Sequence, residues 1–421
     1  MKTRAPMPVR SFDEIPKINS DRLWARHMEM AEIGPIEETG NCRLALTAED
    51  RAARELFAQW CRDAGMQLKS DRAGNMFAMR PGRDGGRAAV AAGSHLDTQP
   101  HGGRFDGVSG MLTALEVVET LNDAGLETEA PLMLINWTNE EGVRFAPGML
   151  GSAWFAGRID DETLDETIST DGQRFADEAE AIGWRGTSSR NDLPMDAFFE
   201  LHIEQGPVLE ACGADVGVVT SVQGLCWFDV QVTGADAHAG TTPLDARRDA
   251  LLAAAAMLVE LNKAGKEEGS DARVSVGRLK TATDGPSTVV GQVEFVIDIR
   301  HPDAAAIDRL RARCREVCKT VANAHTCDVK VRDRFAVPPT LFDKSCVEAL
   351  EKAAKSLQLS YRKMPSGALH DAANVASLVP TAMLFVPCRD GISHNVAEYA
   401  SKEHLAAGCN VLLRAILARA A

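Results

Sequence analysis

One recurring arrangement constrains this chain more than any other: a short apolar run breaks off into histidine, acidic residues and glycine. Residues 88–94 end on His95-Leu96-Asp97-Thr98, residues 132–137 on Thr138-Asn139-Glu140-Glu141-Gly142, and residues 198–202 run into Ile203-Glu204-Gln205-Gly206. Apolar runs of this length, bounded by turn residues, read as buried strands, and the 108–121 stretch between the first two has helical periodicity. Strands alternating with helices imply an α/β sheet covered on both faces. In such sheets ligands bind at the carboxyl edge, which is where the polar clusters fall.

From Val216 onward the texture changes. Residues 227–232 alternate with period two, 245–264 form an Ala/Leu-rich helix, and 273–279 and 293–300 are further strands. A helix over 304–322 and a strand over 328–332 complete a β-α-β-β-α-β series, the ferredoxin-like split unit. After about Pro339 the first texture returns, with a helix over 345–357, a strand over 382–386 and a terminal helix near 402–420. The expected organisation is therefore α/β with two domains. A larger metal-binding catalytic domain (1–214 and 334–421) carries a small α+β insertion (215–333).

Composition excludes several classes. With 421 residues, the chain is long enough for two or three domains. A formal net charge of −14 speaks against a nucleic-acid partner, which needs a basic face. No apolar run approaches the roughly 18 residues of a membrane span. Residues 1–16 have no apolar h-region, so a secretory signal is not expected there. Ten scattered cysteines within apolar stretches read as reduced thiols in a cytoplasmic protein. Cys314-x3-Cys318 lacks a second pair to complete a zinc site.

His95 and Asp97, two apart on an extended chain, point the same way. Neutral imidazole is a good metal ligand, and a nearby carboxylate commonly fixes its ring. Asp106, in Gly102-Gly103-Arg104-Phe105-Asp106-Gly107, is either a helix N-cap or a carboxylate bridging two cations. Of the paired acids Glu140 and Glu141, one suits ligation and the other a base beside an activated water. His202 and His394 end or follow further strands. Five candidate ligands at strand ends suit two Zn²⁺-like ions roughly 3.5 Å apart.

These residues lie in long stretches, GSHLDTQPHGGRFDGVSG (93–110), NWTNEEGVRFAPGMLGS (136–152), LHIEQGPVLE (201–210), GADAHAGTTPLDARRDA (234–250) and GISHNVAEY (391–399). From about residue 20 to its end, the chain resembles the M20-type metallopeptidase superfamily, and within it the hydantoinase/carbamoylase branch. That branch holds N-carbamoyl-L-amino-acid hydrolases, β-ureidopropionases and allantoate amidohydrolases.

The resemblance implies that the insertion is a lid and dimerisation domain of a homodimer, and that each subunit holds two divalent ions. Zn²⁺ is expected first, with Mn²⁺, Ni²⁺ or Co²⁺ as other occupants. It makes His95 and His394 terminal ligands of separate metals and Asp106 the bridge, with Glu141 and His202 completing the set. It makes Glu140 the general base and Asp97 the orienter of His95. His238, otherwise a surface-loop histidine, resembles one that stabilises the oxyanion across a dimer interface. Arg300 matches an arginine that grips the substrate carboxylate, a task suited to its planar fork. Gln205 is expected to hydrogen-bond substrate.

Two positions depart from the family. Ser287 stands where an asparagine is usual, and Leu369, before His370-Asp371, replaces a usual glycine. Both bear on the substrate and leave the metals alone. The expected reaction is hydrolysis of the carbamoyl C–N bond of an N-carbamoyl amino acid to amino acid, ammonia and CO2. Allantoate, N-acyl amino acids and dipeptides remain alternative substrates of the same site.

Overall fold

The computed structural model describes residues 15–421, so the reading of 1–16 as lacking a secretory signal falls almost wholly outside the described residues. The chain divides into two compact units, one holding residues up to Thr220 together with Leu341–Ala421, the other Ser221–Thr340.

The first unit is built on a mixed nine-stranded sheet. At its centre, Thr381–Val386, Met195–Ile203, Ala89–His95 and Leu132–Trp137 lie side by side in that order, all parallel. Every residue of Ala89–His95, Leu132–Trp137 and Thr381–Val386 is buried, as expected of parallel strands covered on both faces. Antiparallel strands flank this core, Met76–Arg80 and Gln67–Ser70 on one side and Val216–Val222 on the other. The helix Val108–Asp123 is buried on almost all sides and packs on the central strands, with Lys402–Ala420 against it. From Ala89–His95 the chain passes first to the strand on one side and then to the strand on the other. The carboxyl edge there is a topological switch point, where α/β sheets open a crevice.

The second unit is a four-stranded antiparallel sheet in the order Arg273–Thr281, Gln292–His301, Gly224–Thr233, Asp328–Val337. The helices Ala250–Glu268 and Ala304–Ala324 pack against it, around a core that includes Phe228, Phe295, Met257 and Leu310. Its limits differ from the expected 215–333. The strand Val216–Val222 pairs with Thr381–Val386, so the sequence before Ser221 belongs to the larger sheet. At the other end, Asp328–Val337 continues to pair with Gly224–Thr233 through Val337, beyond the expected boundary. The helix expected from Asp245 starts at Ala250, where the Asp249 carboxylate accepts from the N–H groups of Leu251 and Leu252.

Cys314 and Cys318 face the core of this unit, and burial pushes both thiols up to about 12, which makes them inert. All ten cysteines are free. Among the described residues no helix is long and apolar enough to cross a membrane.

Candidate metal centre

Four segments leave the carboxyl ends of the parallel strands and converge on Asp106. His95 is the last residue of its strand and His202 the penultimate residue of its own. Glu140 and Glu141 follow Leu132–Trp137, and His394 follows Thr381–Val386. The helix after Asp106 has Gly107 as its N-cap and no side-chain cap, so the Asp106 carboxylate is not a helix cap.

Its two oxygens face different partners. Oδ1 lies 3.0 Å from His202 Nε2 and 3.6 Å from His95 Nε2, whereas Oδ2 lies 3.4 Å from His394 Nε2. Glu141 Oε2 is 3.6 Å from the same His394 nitrogen, and Glu140 Oε2 is 3.6 Å from His95 Nε2. Two clusters with metal-ligating geometry result, His95–Asp106–His202 and Asp106–Glu141–His394, sharing one carboxylate.

The rings are oriented by backbone. His95 Nδ1 donates to the carbonyl of Asp97 and His202 Nδ1 to that of Ile203, each at 2.9 Å. Both Nε2 lone pairs are thereby turned toward Asp106, as a metal ligand requires. The Asp97 carboxylate, expected to orient His95, lies 4.0 Å from Nδ1 and instead accepts from the backbone N–H groups of Glu140 and Glu141, each at 3.2 Å. Gln205 lies inside the cluster, its amide donating to Asp106 Oδ2 at 2.8 Å and to Ser393 Oγ at 3.1 Å.

A cation fits these residues. His202 Nε2 and Glu141 Oε1, one in each cluster, are buried without a hydrogen-bond partner, a costly arrangement unless an electrophile meets each of them. Imidazole and carboxylate together suit borderline divalent ions. A third group, Glu200–His202–His370, calls on the same His202. Its other members are already engaged, Glu200 with Ser94 Oγ and the N–H of Ala372, and His370 with Ser366 Oγ.

The electrostatics tell the same story. Burial works against an ionised Asp106, but the histidine rings around it, His202 foremost, outweigh it and hold the carboxyl well below its usual range. The hydrogen bond to Asp106 raises His394 to about 8. Burial lifts Glu140 well above an ordinary glutamate, and neighbouring acids add to the effect; Glu141 rises to about 7. Acids crowded together under burial need positive charge, and divalent ions would supply it.

The backbone is specialised here. Asn139, Gln205 and His394 all adopt positive φ, between 54° and 59°, a conformation that non-glycine residues rarely take. Gly107, with φ of 66°, has no alternative: a Cβ there would lie 2.3 Å from the His95 ring.

Several supporting residues escaped the sequence reading. Arg43 is fully buried, donating to the carbonyls of Leu96 and Ile33. Arg54 pairs with buried Asp50 and reaches Thr138 Oγ1, just before the paired glutamates. Glu398 links the Asp106 loop to the His394 loop. Of these, only Glu398 left a signal, four residues beyond His394.

The remaining expected residues lie elsewhere. Leu369 is half-buried beside His370, whose ring is 4.5 Å from that of His202. His238, Ser287 and Arg300 belong to the second unit. There the short strand Ala237–His238 pairs with Thr288–Val289, and the N–H of Ala239 donates to the Ser287 carbonyl. His238 is exposed, and its Nδ1 accepts from the N–H groups of Gly240 and Thr241. Arg300 is held by Asp298 through Nε and Nη2.

Residues 91–418 match the description Peptidase family M20/M25/M40. The chain belongs to this family. The M20 match spans both units and takes in all five candidate ligands. An N-carbamoyl-L-amino-acid amidohydrolase of Rhizobium meliloti is 44% identical over 95% of this chain and 96% of its own length. One of Geobacillus stearothermophilus is 36% identical over 95% and 98%. Among solved structures, one described as an amidase of the hydantoinase/carbamoylase family from Burkholderia multivorans superposes with a TM-score of 0.93. It is 43% identical and covers 96% of this chain and 98% of its own.

Proposed function

We propose that this protein is a dinuclear metal-dependent amidohydrolase that cleaves the carbamoyl C–N bond of an N-carbamoyl amino acid. The products are the amino acid, ammonia and CO2. One observation carries the reading: the two oxygens of Asp106 face separate ligand clusters, with the Glu140 carboxylate beside them. The names of the Rhizobium and Geobacillus relatives point to the substrate class.

His95, Asp106 and His202 would hold one ion and Asp106, Glu141 and His394 the other, with Zn²⁺ the first expectation and Mn²⁺, Ni²⁺ or Co²⁺ also suited to the donor set. When bound, two such ions supply Lewis acidity and lower the pKa of water toward neutrality. Glu140, lifted by burial, is suited to take a proton from the attacking water and return it to the leaving nitrogen. Asp97 steadies both glutamates through their N–H groups. We assign oxyanion stabilisation to His238: with Nδ1 accepting two N–H bonds, its proton sits on Nε2, free to donate. Arg300 is assigned to the substrate carboxylate, Gln205 to positioning at Asp106, and Ser287 and Leu369 to pocket shape.

We assign to the second unit, on its strand order and two helices, the role of a ferredoxin-like lid and dimerisation domain. Its helix Ala250–Glu268 exposes Leu252 and Val259, and the strand Arg273–Thr281 pairs on one side only. Free, buried thiols favour a cytoplasmic location.

The test is ammonia release from N-carbamoyl amino acids, β-ureidopropionate and allantoate with each added metal, beside a chelator and Glu140→Gln. Metal-dependent release that the variant loses, with its metal content unchanged, is the expected result. Silence across the panel would discard the carbamoylase assignment and turn attention to N-acyl amino acids and dipeptides.

A further inference from the structure

Glu398 is 2% exposed and sits between two loops that meet only through the fold. Its Oε1 accepts from the backbone N–H groups of Phe105 and Asp106, both at 3.0 Å. Its Oε2 is 3.1 Å from Ser393 Oγ, which in turn lies 2.9 Å from Asp106 Oδ2. A single carboxylate thus grips the backbone of Asp106 and, through one hydroxyl, its side chain, and that hydroxyl belongs to the residue before His394.

The approach is tight. A Cβ on Gly103 would lie 2.3 Å from Glu398 Oε1, so glycine is what lets the carboxylate reach the loop. The turn that presents it is closed by the N–H of Glu398 on the Asn395 carbonyl. On the far side, the Tyr399 ring packs edge-on against Phe105, 5.8 Å between centroids.

A link meant only to join two loops would not place a second buried carboxylate beside Asp106, where the two acids repel. Glu398 Oε1 has the capacity to take both N–H bonds, while the Ser393 hydroxyl lies between Oε2 and Asp106 Oδ2 and gives its single proton to one of them at a time. That arrangement fixes the distance between Asp106 and His394, the two residues that face each other across Oδ2.

We propose that Glu398, acting through Ser393 and the Asp106 backbone, is a positioning residue that holds Asp106 and His394 in register for a shared cation. It thereby sets the affinity of the Asp106–Glu141–His394 site. This rests on the two-cation reading above. Residues behind metal ligands typically contribute 10–100-fold in affinity.

The test is calorimetric titration of metal-stripped protein with Zn²⁺ and, separately, Mn²⁺, for the wild type, Glu398→Gln, Ser393→Ala and Gly103→Ala. Circular dichroism and the Tm of the stripped proteins are recorded alongside. The expected result is two equivalents in the wild type. In Glu398→Gln one equivalent should weaken by 10-fold or more while the other stays within about 3-fold, with the stripped-protein Tm unchanged. Gly103→Ala, which displaces the carboxylate without touching a ligand, should do the same. Two equivalents at wild-type affinity in Glu398→Gln overturn the proposal, and so do two that weaken together. If Glu398→Gln fails to fold, Ser393→Ala decides by the same criteria. A wild type that binds only one equivalent overturns the two-cation reading itself, separately from the role of Glu398.

Discussion

Gly107 and His27 show how single residues constrain this protein in opposite ways. At Gly107, alanine would meet both a left-handed backbone, costing about 1–2 kcal/mol, and the His95 ring. Gly107→Ala should therefore lose metal binding in the His95 cluster while keeping its fold by circular dichroism. Wild-type metal content would show that the ring can move aside. His27 is fully buried, with Nδ1 on the Leu23 carbonyl and Nε2 near Ser109 Oγ. Burial depresses it to about 4, whereas in the unfolded chain it titrates near 6.5. As pH falls the unfolded state takes up the proton first. The stability contributed by neutral His27 is therefore complete above pH 6.5 and lost on the way down to about 4, on the order of 3 kcal/mol. In urea melts across that range His27→Gln should show a shallower pH dependence than the wild type; an equal slope would remove His27 from the account.

At the scale of elements, the helix Ala48–Asp63 carries a buried ion pair within itself, whose arginine ties the helix to the segments behind the site. Asp50 accepts from Arg54 Nε at 2.9 Å and from the N–H of Leu46 at 2.8 Å, with both side chains at 0% exposure. Arg54 also donates to the Gly74 carbonyl and to Thr138. Removing one partner strands the other in the core, so Asp50→Ala should cost about 3–5 kcal/mol in urea unfolding. The double variant Asp50→Ala, Arg54→Met should recover part of that loss, because a buried pair replaced by packed apolar groups is often near neutral. No recovery would mean that Arg54 matters for its bonds to Gly74 and Thr138 more than for its charge.

For the molecule as a whole, the question is what covers the second unit. Leu252 is 57% exposed and Val259 67%, both on the helix Ala250–Glu268. If that face joins two copies, Leu252→Glu with Val259→Glu should turn a dimer into a monomer in sedimentation velocity. A double variant that remains a dimer would place the interface elsewhere.

The four central parallel strands, the β-α-β-β-α-β series and the five candidate ligands could be recognised in the amino-acid sequence, whereas the flanking strands Gln67–Ser70, Met76–Arg80 and Val216–Val222 could not. Each recognised feature depends on local pattern: apolar runs bounded by turns, helical periodicity, and ligand residues immediately beyond strand ends. The sheet then brings those ends to one edge whatever the detailed packing. Other features exist only in three dimensions. Val216–Val222 belongs to the large sheet because it pairs with Thr381–Val386, a partner more than a hundred residues away that no local signal names. Asp106 could have been a helix cap or a bridge until tertiary structure put histidines on both its oxygens. Arg43 and Arg54 carry no pattern of their own, and Glu398 only its place four residues beyond His394. Their roles come from burial, which makes each unpaired donor or charge costly and so requires partners from distant parts of the chain.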